Sequence, residues 1–183
     1  MSVRSLCLAI LSFGDATGYE IRKESTEGRF SYFDDASFGS IYPALARLES
    51  DGLVTVREEP QAGKPARKVY SITQAGRTEF INSLCEPQAA DTFKSPFLLI
   101  ALNAAQLPPE VIRRALERRK AQVQEELRLL TESENEECRH PGSDWTRNYG
   151  IACMNFTLAY LEEHGGALIK IAEDSAEQLA AAE

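Results

Sequence analysis

The sequence predicts a mainly α-helical protein with one small β-hairpin, an α+β chain of two domains. Three observations carry this. Ser37–Val54, read as SFGSIYPALARLESDGLV, has apolar residues at helical spacing and stops on a glycine. Directly after it, Leu53–Arg57 and Arg67–Ile72 alternate with period two, as antiparallel partners do. Beyond these, the chain shows helical recurrences and no further strand. The polar, proline-containing joint Glu86–Lys94 separates a domain over 1–86 from a helical domain over 87–183.

In chain order, Val3–Leu11 carries Leu6, Leu8, Ile10 and Leu11 and reads as a buried first helix, broken at Gly14–Asp15. Thr17-Gly-Tyr-Glu20 is a capping box that starts a second helix, with Tyr19 and Ile21 in its first turns and an end near Gly28. Ser37 is placed to cap the third helix. On a helical wheel Phe38, Ile41, Leu45 and Leu48 share the core face, Gly39, Pro43, Ala46 and Ser50 lie opposite, and Ser40, Tyr42 and Arg47 flank them. Pro43 removes an amide donor, which predicts an irregular first turn. Gly52 supplies the stop. Gly63 and Pro65 predict a flexible tip over about Glu58–Ala66 rather than a two-residue turn. Thr73 caps a fourth helix over Gln74–Leu84, with Phe80, Ile81 and Leu84 expected to face the core.

The outward face of the third helix is small and almost uncharged, where a merely solvated helix shows Lys and Glu. Such a face suits a partner that approaches closely, and a DNA major groove, which admits a helix, is one candidate. Lys64, Arg67 and Lys68 gather at or beside the hairpin tip, either as solvated charges or as a phosphate-binding flap. A helix running into a small cationic hairpin is the arrangement by which winged helix-turn-helix domains hold duplex DNA. In such a domain Tyr19 reads either as a core residue or as a contact to the DNA backbone.

The ordered motifs Leu8-Ala-Ile-Leu11, Thr17-Gly-Tyr-Glu-Ile21, Gly39-Ser-Ile-Tyr-Pro-Ala-Leu45, Leu48 to Leu53 and Gly63-Lys-Pro-Ala-Arg-Lys-Val-Tyr-Ser-Ile-Thr73 with Gly76 resemble the PadR family of transcriptional regulators over about residues 5–85. The resemblance implies a winged helix-turn-helix domain, a homodimer, and repression that a small effector relieves. It places Ser37, Ser40 and Tyr42 on the recognition helix and Lys64, Arg67 and Lys68 on the wing. Tyr19 and Arg47 complete the DNA-facing set read from the residues. The C-terminal half resembles the longer branch of that family, whose helical C-terminal domain dimerises.

In that half, Phe97–Ala105 reads as a short packed helix and Pro108-Pro109-Glu110 as a helix start. Leu116, Val123 and Leu130, with Ile112 and Leu127, form a stripe suited to packing on another helix. Arg113, Arg114, Arg118, Arg119 and Lys120 read as a solvated cationic face. After an acidic loop over Glu132–Gly142, a long final helix from about Asp144 carries Tyr149, Cys153, Phe156, Tyr160, Leu168, Ile171 and Leu179 on its apolar side. Gly165–Gly166 mark either a bend or a close helix approach. Trp145, Tyr149, Phe156 and Tyr160 are either core or the lining of an effector site between subunits, with planar aromatic compounds the expected class by analogy.

Composition bounds the rest. The chain of 183 residues is 43% apolar, with net charge −8. Residues 1–86 hold ten Lys/Arg against twelve Asp/Glu, and residues 87–183 hold ten against sixteen, so the acid excess lies mainly in the second domain. Between Gln61 and Lys68 there are three cations and no acid. No apolar run approaches the ~18 residues of a membrane span, and no signal-peptide pattern opens the chain, so a cytoplasmic protein with no membrane contact is expected. Cys7, Cys85, Cys138 and Cys153 are scattered, and His140 and His164 lack metal-ligand spacing. No nucleotide-binding or hydrolase motif is present, so neither a cofactor nor an enzymatic activity is expected. The rival readings are a protein-binding or sensor module on the same fold, favoured by the acidic balance, and a carrier of aromatic ligands.

Overall fold

Six consecutive residues of the first helix, Leu6 to Leu11 of α1 (Val3–Ser12), are buried, so this helix is the hub on which the N-terminal elements pack. The protein's computed structural model describes residues 2–28, 30–33, 39–61, 63–132 and 141–180, which divide between two compact units, Met1–Asp91 and Thr92–Glu183. In the first unit a two-residue strand, β1 (Ala16–Thr17), leads into α2 (Gly18–Thr26). The capping box is formed in full: Glu20 N–H donates to Thr17 Oγ1 at 3.2 Å, and Thr17 N–H donates to Glu20 Oε2 at 2.7 Å.

Helix α3 spans Ile41–Ser50, with Ser40 rather than Ser37 at its N-cap; Ser37 and Phe38 lie outside the described residues. This shift of start removes the irregularity expected at Pro43. Pro43 is the third residue of the helix, where an N–H has no intrahelical acceptor, so the proline costs no bond. The first helical bond runs from Ala44 N–H to the Ser40 carbonyl. At the other end Gly52 takes φ +70°, Leu53 N–H donates to Leu48 O, and Gly52 N–H donates to Glu49 O. These two bonds satisfy the last carbonyls and turn the chain directly into a strand.

Strands β2 (Val54–Gln61) and β3 (Lys64–Ile72) pair antiparallel, and β1 adds to the other edge of β3, giving the order β1-β3-β2. The expected hairpin is therefore present within a three-stranded sheet, and its pairing runs much further than the alternation suggested. The connection contracts from Glu58–Ala66 to residues 62–63, with Gly63 at φ +70°. Glu58 pairs with Lys68 and Glu59 with Arg67, which extends the ladder through charge rather than through apolar residues. An irregularity between Glu59 and Gln61 absorbs Pro60 on this edge strand.

Ile41, Ala44, Leu45 and Leu48 of α3 meet α1, Ile21, Phe30, Val54 and Tyr70 in one core. The next helix, α4 (Gln74–Cys85), is capped by Thr73, whose hydroxyl accepts Gly76 N–H at 3.0 Å. Phe80 packs on the core, but Ile81 and Leu84 are exposed, contrary to expectation. The reason is geometric. A Cβ at Gly76 would lie 2.1 Å from the Leu53 carbonyl, which fixes Gly76, Phe80 and Ser83 as the inward face of α4 and leaves Ile81 and Leu84 on its exposed flank.

The second unit comprises α5 (Pro96–Leu102), a 3-10 turn (Ala104–Gln106), α6 (Pro109–Glu132) and α7 (Pro141–Ala180). Ile112, Leu116 and Val123 pack with Leu161 and Ala172, and Met154, Leu158 and Leu168 close around them. Of the expected packed helix at Phe97–Ala105, only Phe97, Ile100 and Ala104 join this core, while Leu98, Leu99 and Leu102 turn outward. Gly165–Gly166 lie inside an unbroken helix, and a Cβ on Gly165 would come within 3.3 Å of Leu116. Gly165 thus marks a close approach of α6 and α7, while Gly166 faces open space. Arg113 of the cationic run bridges to Glu173 of α7 rather than standing alone in solvent. Cys7 is buried, which pushes its thiol up to about 12, whereas Cys85 is exposed and Cys153 half-buried; Cys138 and His140 lie outside the described residues.

Candidate nucleic-acid interface

The buried stripe of α3 fixes which side chains its other face presents. With Ile41, Leu45 and Leu48 fully inward, Tyr42, Pro43, Ala46, Arg47, Glu49 and Ser50 are exposed and Ser40 is half-buried at the helix entry, so this face carries one acid beside Tyr42 and Ala46. Tyr42 lies at the seam with α2. A Cβ on Gly18 would sit 2.7 Å from Tyr42 Cε1, so only glycine lets the ring lie this close. Tyr19 follows Gly18 and is 58% exposed, which removes it from the core. The Arg22 guanidinium lies 4.9 Å from the centre of its ring, an exposed cation–π pair.

On the hairpin, Val54, Val56, Tyr70 and Ile72 face the core, and Arg57, Glu59 and Arg67 occupy the opposite face. There Arg67 donates from Nε and Nη2 to Glu59 Oε2, at 2.9 and 2.7 Å. Arg57 donates from Nε to Glu59 Oε1 at 3.2 Å, from Nη1 to Ser71 Oγ at 3.1 Å, and also bonds Asp15. Arg67 and then Arg57 hold the Glu59 carboxyl below the usual carboxylate range, and Arg57 and Ser71 do the same for Asp15. The acid-free window Gln61–Lys68 is thus not acid-free in space: strand pairing sets Glu59 against Arg67 and Glu58 opposite Lys68. Lys68 is exposed, and the side chain of Lys64 lies outside the described residues. Arg57, Glu59 and Asp15 escaped the sequence reading because their placement depends on strand register and on a third strand two residues long, whereas the Tyr19–Arg22 pair follows from i, i+3 spacing on α2 and was legible.

Residues 7–82, the span that builds this surface, match the model of the transcriptional regulator PadR-like family, and residues 93–168 match the virulence activator alpha C-terminal family. The crystal structure of smu.1604c from Streptococcus mutans is 30% identical, with a TM-score of 0.77 over 90% of this chain and 98% of that one. The chain belongs to the PadR-like family of transcriptional regulators. The negative transcriptional regulator PadR of Bacillus subtilis is 29% identical over 121 residues, 63% of this chain and 66% of that relative, so the aligned stretch spans just under two thirds of its length. A crystal structure of Bacillus subtilis PadR in complex with operator DNA superposes with a TM-score of 0.73 at 22% identity, covering 90% of this chain and 98% of that one, a likeness of fold. The same regulator has been solved in complex with p-coumaric acid, with a TM-score of 0.64 at 22% identity over 92% of this chain and 97% of that one.

In this PadR-like chain the four aromatic candidates on α7 form a single outward stripe. Trp145, Tyr149, Phe156 and Tyr160 are 70, 60, 72 and 55% exposed. Spacings of four and eleven keep them on one side of the helix, and Ile171 continues the line. Trp145 and Tyr149 stack with centroids 5.7 Å apart, Phe156 and Tyr160 lie 6.4 Å apart, and Tyr160 meets His164 at 4.4 Å. The expected apolar side of the final helix therefore splits: Leu168 joins the α6 interface, and the aromatics do not. Leu179's side chain lies outside the described residues. Among the described residues no helix is long and apolar enough to cross a membrane, and no group of three His, Cys, Asp or Glu could hold a metal ion.

Proposed function

We propose that this regulator binds operator DNA as a homodimer, each subunit laying α3 in a major groove with its β2–β3 wing along the flanking phosphates. The observation that carries this is the exposed face of Tyr42, Pro43, Ala46, Arg47 and Ser50, small or uncharged but for Arg47 and the single acid Glu49, built in the same unit as the hairpin. Small residues admit close approach, and Ser40, Tyr42 and Arg47 supply hydrogen bonds to base edges. Ser37 belongs to the same surface by its position in the chain. Tyr19, Lys64, Arg67 and Lys68 take phosphates, which position the protein without reading sequence. DNA binding resides in 1–86 and pairing of subunits in 87–183, with the outward aromatic stripe of α7 supporting a second copy as its cover.

Repression fits the likeness to a negative regulator, and release by a planar aromatic compound fits the p-coumaric acid complex of that same relative. Trp145, Tyr149, Phe156 and Tyr160 supply the stacking surfaces such a ligand needs. The decisive test is a binding titration against the chain's own upstream DNA over a range of salt. Two half-sites should lie about 34 Å or a multiple apart. Three cations per wing would give ~6 phosphate contacts and a log–log slope near −5; with Arg67 engaged by Glu59, the expected slope is nearer −4. Lys68→Ala should weaken binding alike on all sequences, while changes at Ser40 or Tyr42 should shift the preference between sequences. A complex insensitive to salt, or no complex, would overturn the proposal.

A further inference from the structure

The ion pairs on the outer face of the wing assign a task to Glu59, and this inference rests on the DNA-binding reading above. We propose that Glu59 is an internal competitor for DNA phosphate: it occupies Arg67 in the free protein and holds down the affinity of the wing for any duplex. One carboxylate oxygen accepts both donors on an edge of the Arg67 guanidinium, at 2.9 and 2.7 Å, the geometry a phosphate oxygen would take. The acid is not a loose surface group. Its register opposite Arg67 is set by the ladder, and its second oxygen is held by Arg57, which is itself anchored on Asp15 and Ser71.

Both partners stay open to solvent, with the Arg67 side chain 47% and the Glu59 side chain 33% exposed. A phosphate can therefore reach the guanidinium and displace the carboxylate. Exposed pairs are weak, so the handicap is modest, less than about tenfold in affinity per wing. Binding becomes an exchange of one anion for another, followed by a free carboxylate left beside the DNA backbone. That residual charge also cancels part of the counterion release, so the wing responds less to salt than its three cations suggest.

The test compares wild type, Glu59→Gln, Arg67→Ala and the double variant on the chain's own upstream DNA and on an unrelated duplex, with Glu59→Ala as a second removal of the charge. Glu59→Gln and Glu59→Ala should each bind both duplexes about 3- to 10-fold more tightly, and the salt slope should steepen by up to ~0.9 per wing. In the Arg67→Ala background the gain should fall below about 2-fold. Unchanged or weaker binding by both Glu59 variants overturns the inference, since it means that the acid is inert or orients Arg67 for DNA. A gain that persists undiminished without Arg67 also overturns it, because it then reflects overall charge. Failure of wild type and every variant to bind either duplex sinks the DNA-binding reading itself; wild-type binding with no Glu59 effect sinks only the inference.

Discussion

The two units of this chain spend their apolar residues in opposite ways. In the first, α1 and α3 sink Leu6, Leu11, Ile41, Leu45 and Leu48 out of solvent entirely or nearly so, and what α3 leaves outside is small or polar. In the second, α7 lays Leu161 and Ala172 against α6 and turns Trp145, Tyr149, Phe156 and Tyr160 away from it. The first unit closes a core around α1 and leaves Ile81 and Leu84 of α4 exposed; the second has one core, an uncovered aromatic stripe on α7, and Leu98, Leu99 and Leu102 of α5 turned outward. Contiguous exposed apolar surface of this kind marks an interaction site, and under the proposed function the contrast separates the unit that reads DNA from the one that pairs subunits.

The strongest way to break that contrast is a pair of substitutions. Leu48→Ala empties a fully buried site and should cost about 2–5 kcal/mol of stability, read as a drop in the urea midpoint at one fixed protein concentration. Phe156→Ala removes a ring that is already exposed in the subunit, so it should leave the subunit's own stability within about 0.5 kcal/mol. It should instead weaken self-association by about 2 kcal/mol, read by sedimentation across a dilution series. If Phe156→Ala lowered subunit stability as Leu48→Ala does, or left association untouched, the stripe would not be an interface.

The same contrast explains what the sequence made legible. Where one chain supplies both sides of a contact, periodicity suffices: α1, the capping box at Thr17, the core face of α3 and the stop at Gly52 all follow from local pattern. Where the second side comes from elsewhere, pattern misleads. Ile81 and Leu84 repeat at helical spacing as core residues do, yet α4 packs through Gly76 and Phe80 and leaves them exposed. The α7 aromatics likewise share a periodicity with Leu168 while facing another way. The wing fails for a third reason. Its charges are paired across strands, and an alternating pattern gives no register until Glu59 and Arg67 are placed opposite one another.

A smaller effect sharpens the account of the first unit. Thr17 accepts from Glu20 N–H and also donates its hydroxyl to the Glu20 carboxylate, and Thr17→Ala should cost about 1 kcal/mol. The Thr17 backbone N–H and then its hydroxyl hold the Glu20 carboxyl below its ordinary value. A carboxyl depressed in the folded state stabilises above its unfolded pKa, about 4.3, and that contribution is lost as pH falls through the lower folded value. The stability difference between wild type and Glu20→Ala should therefore hold from neutrality to about pH 5 and shrink towards pH 3. A difference that grew on acidification would mean that the protonated acid makes the cap.

The smallest expected change probes the second unit at two neighbouring glycines within one helix. A Cβ on Gly166 would touch nothing within 4 Å, so Gly166→Ala should stabilise by the helix propensity difference, about 0.5–1 kcal/mol. Gly165 gains the same propensity, but its Cβ would press on Leu116 Cδ2 at 3.3 Å, and the packed α6–α7 seam must yield to accept it. Gly165→Ala should then fall short of Gly166→Ala by several tenths of a kcal/mol or more in thermal unfolding. Equal gains at both positions would show that Leu116 shifts freely, and hence that the two helices do not owe their close approach to the missing side chain.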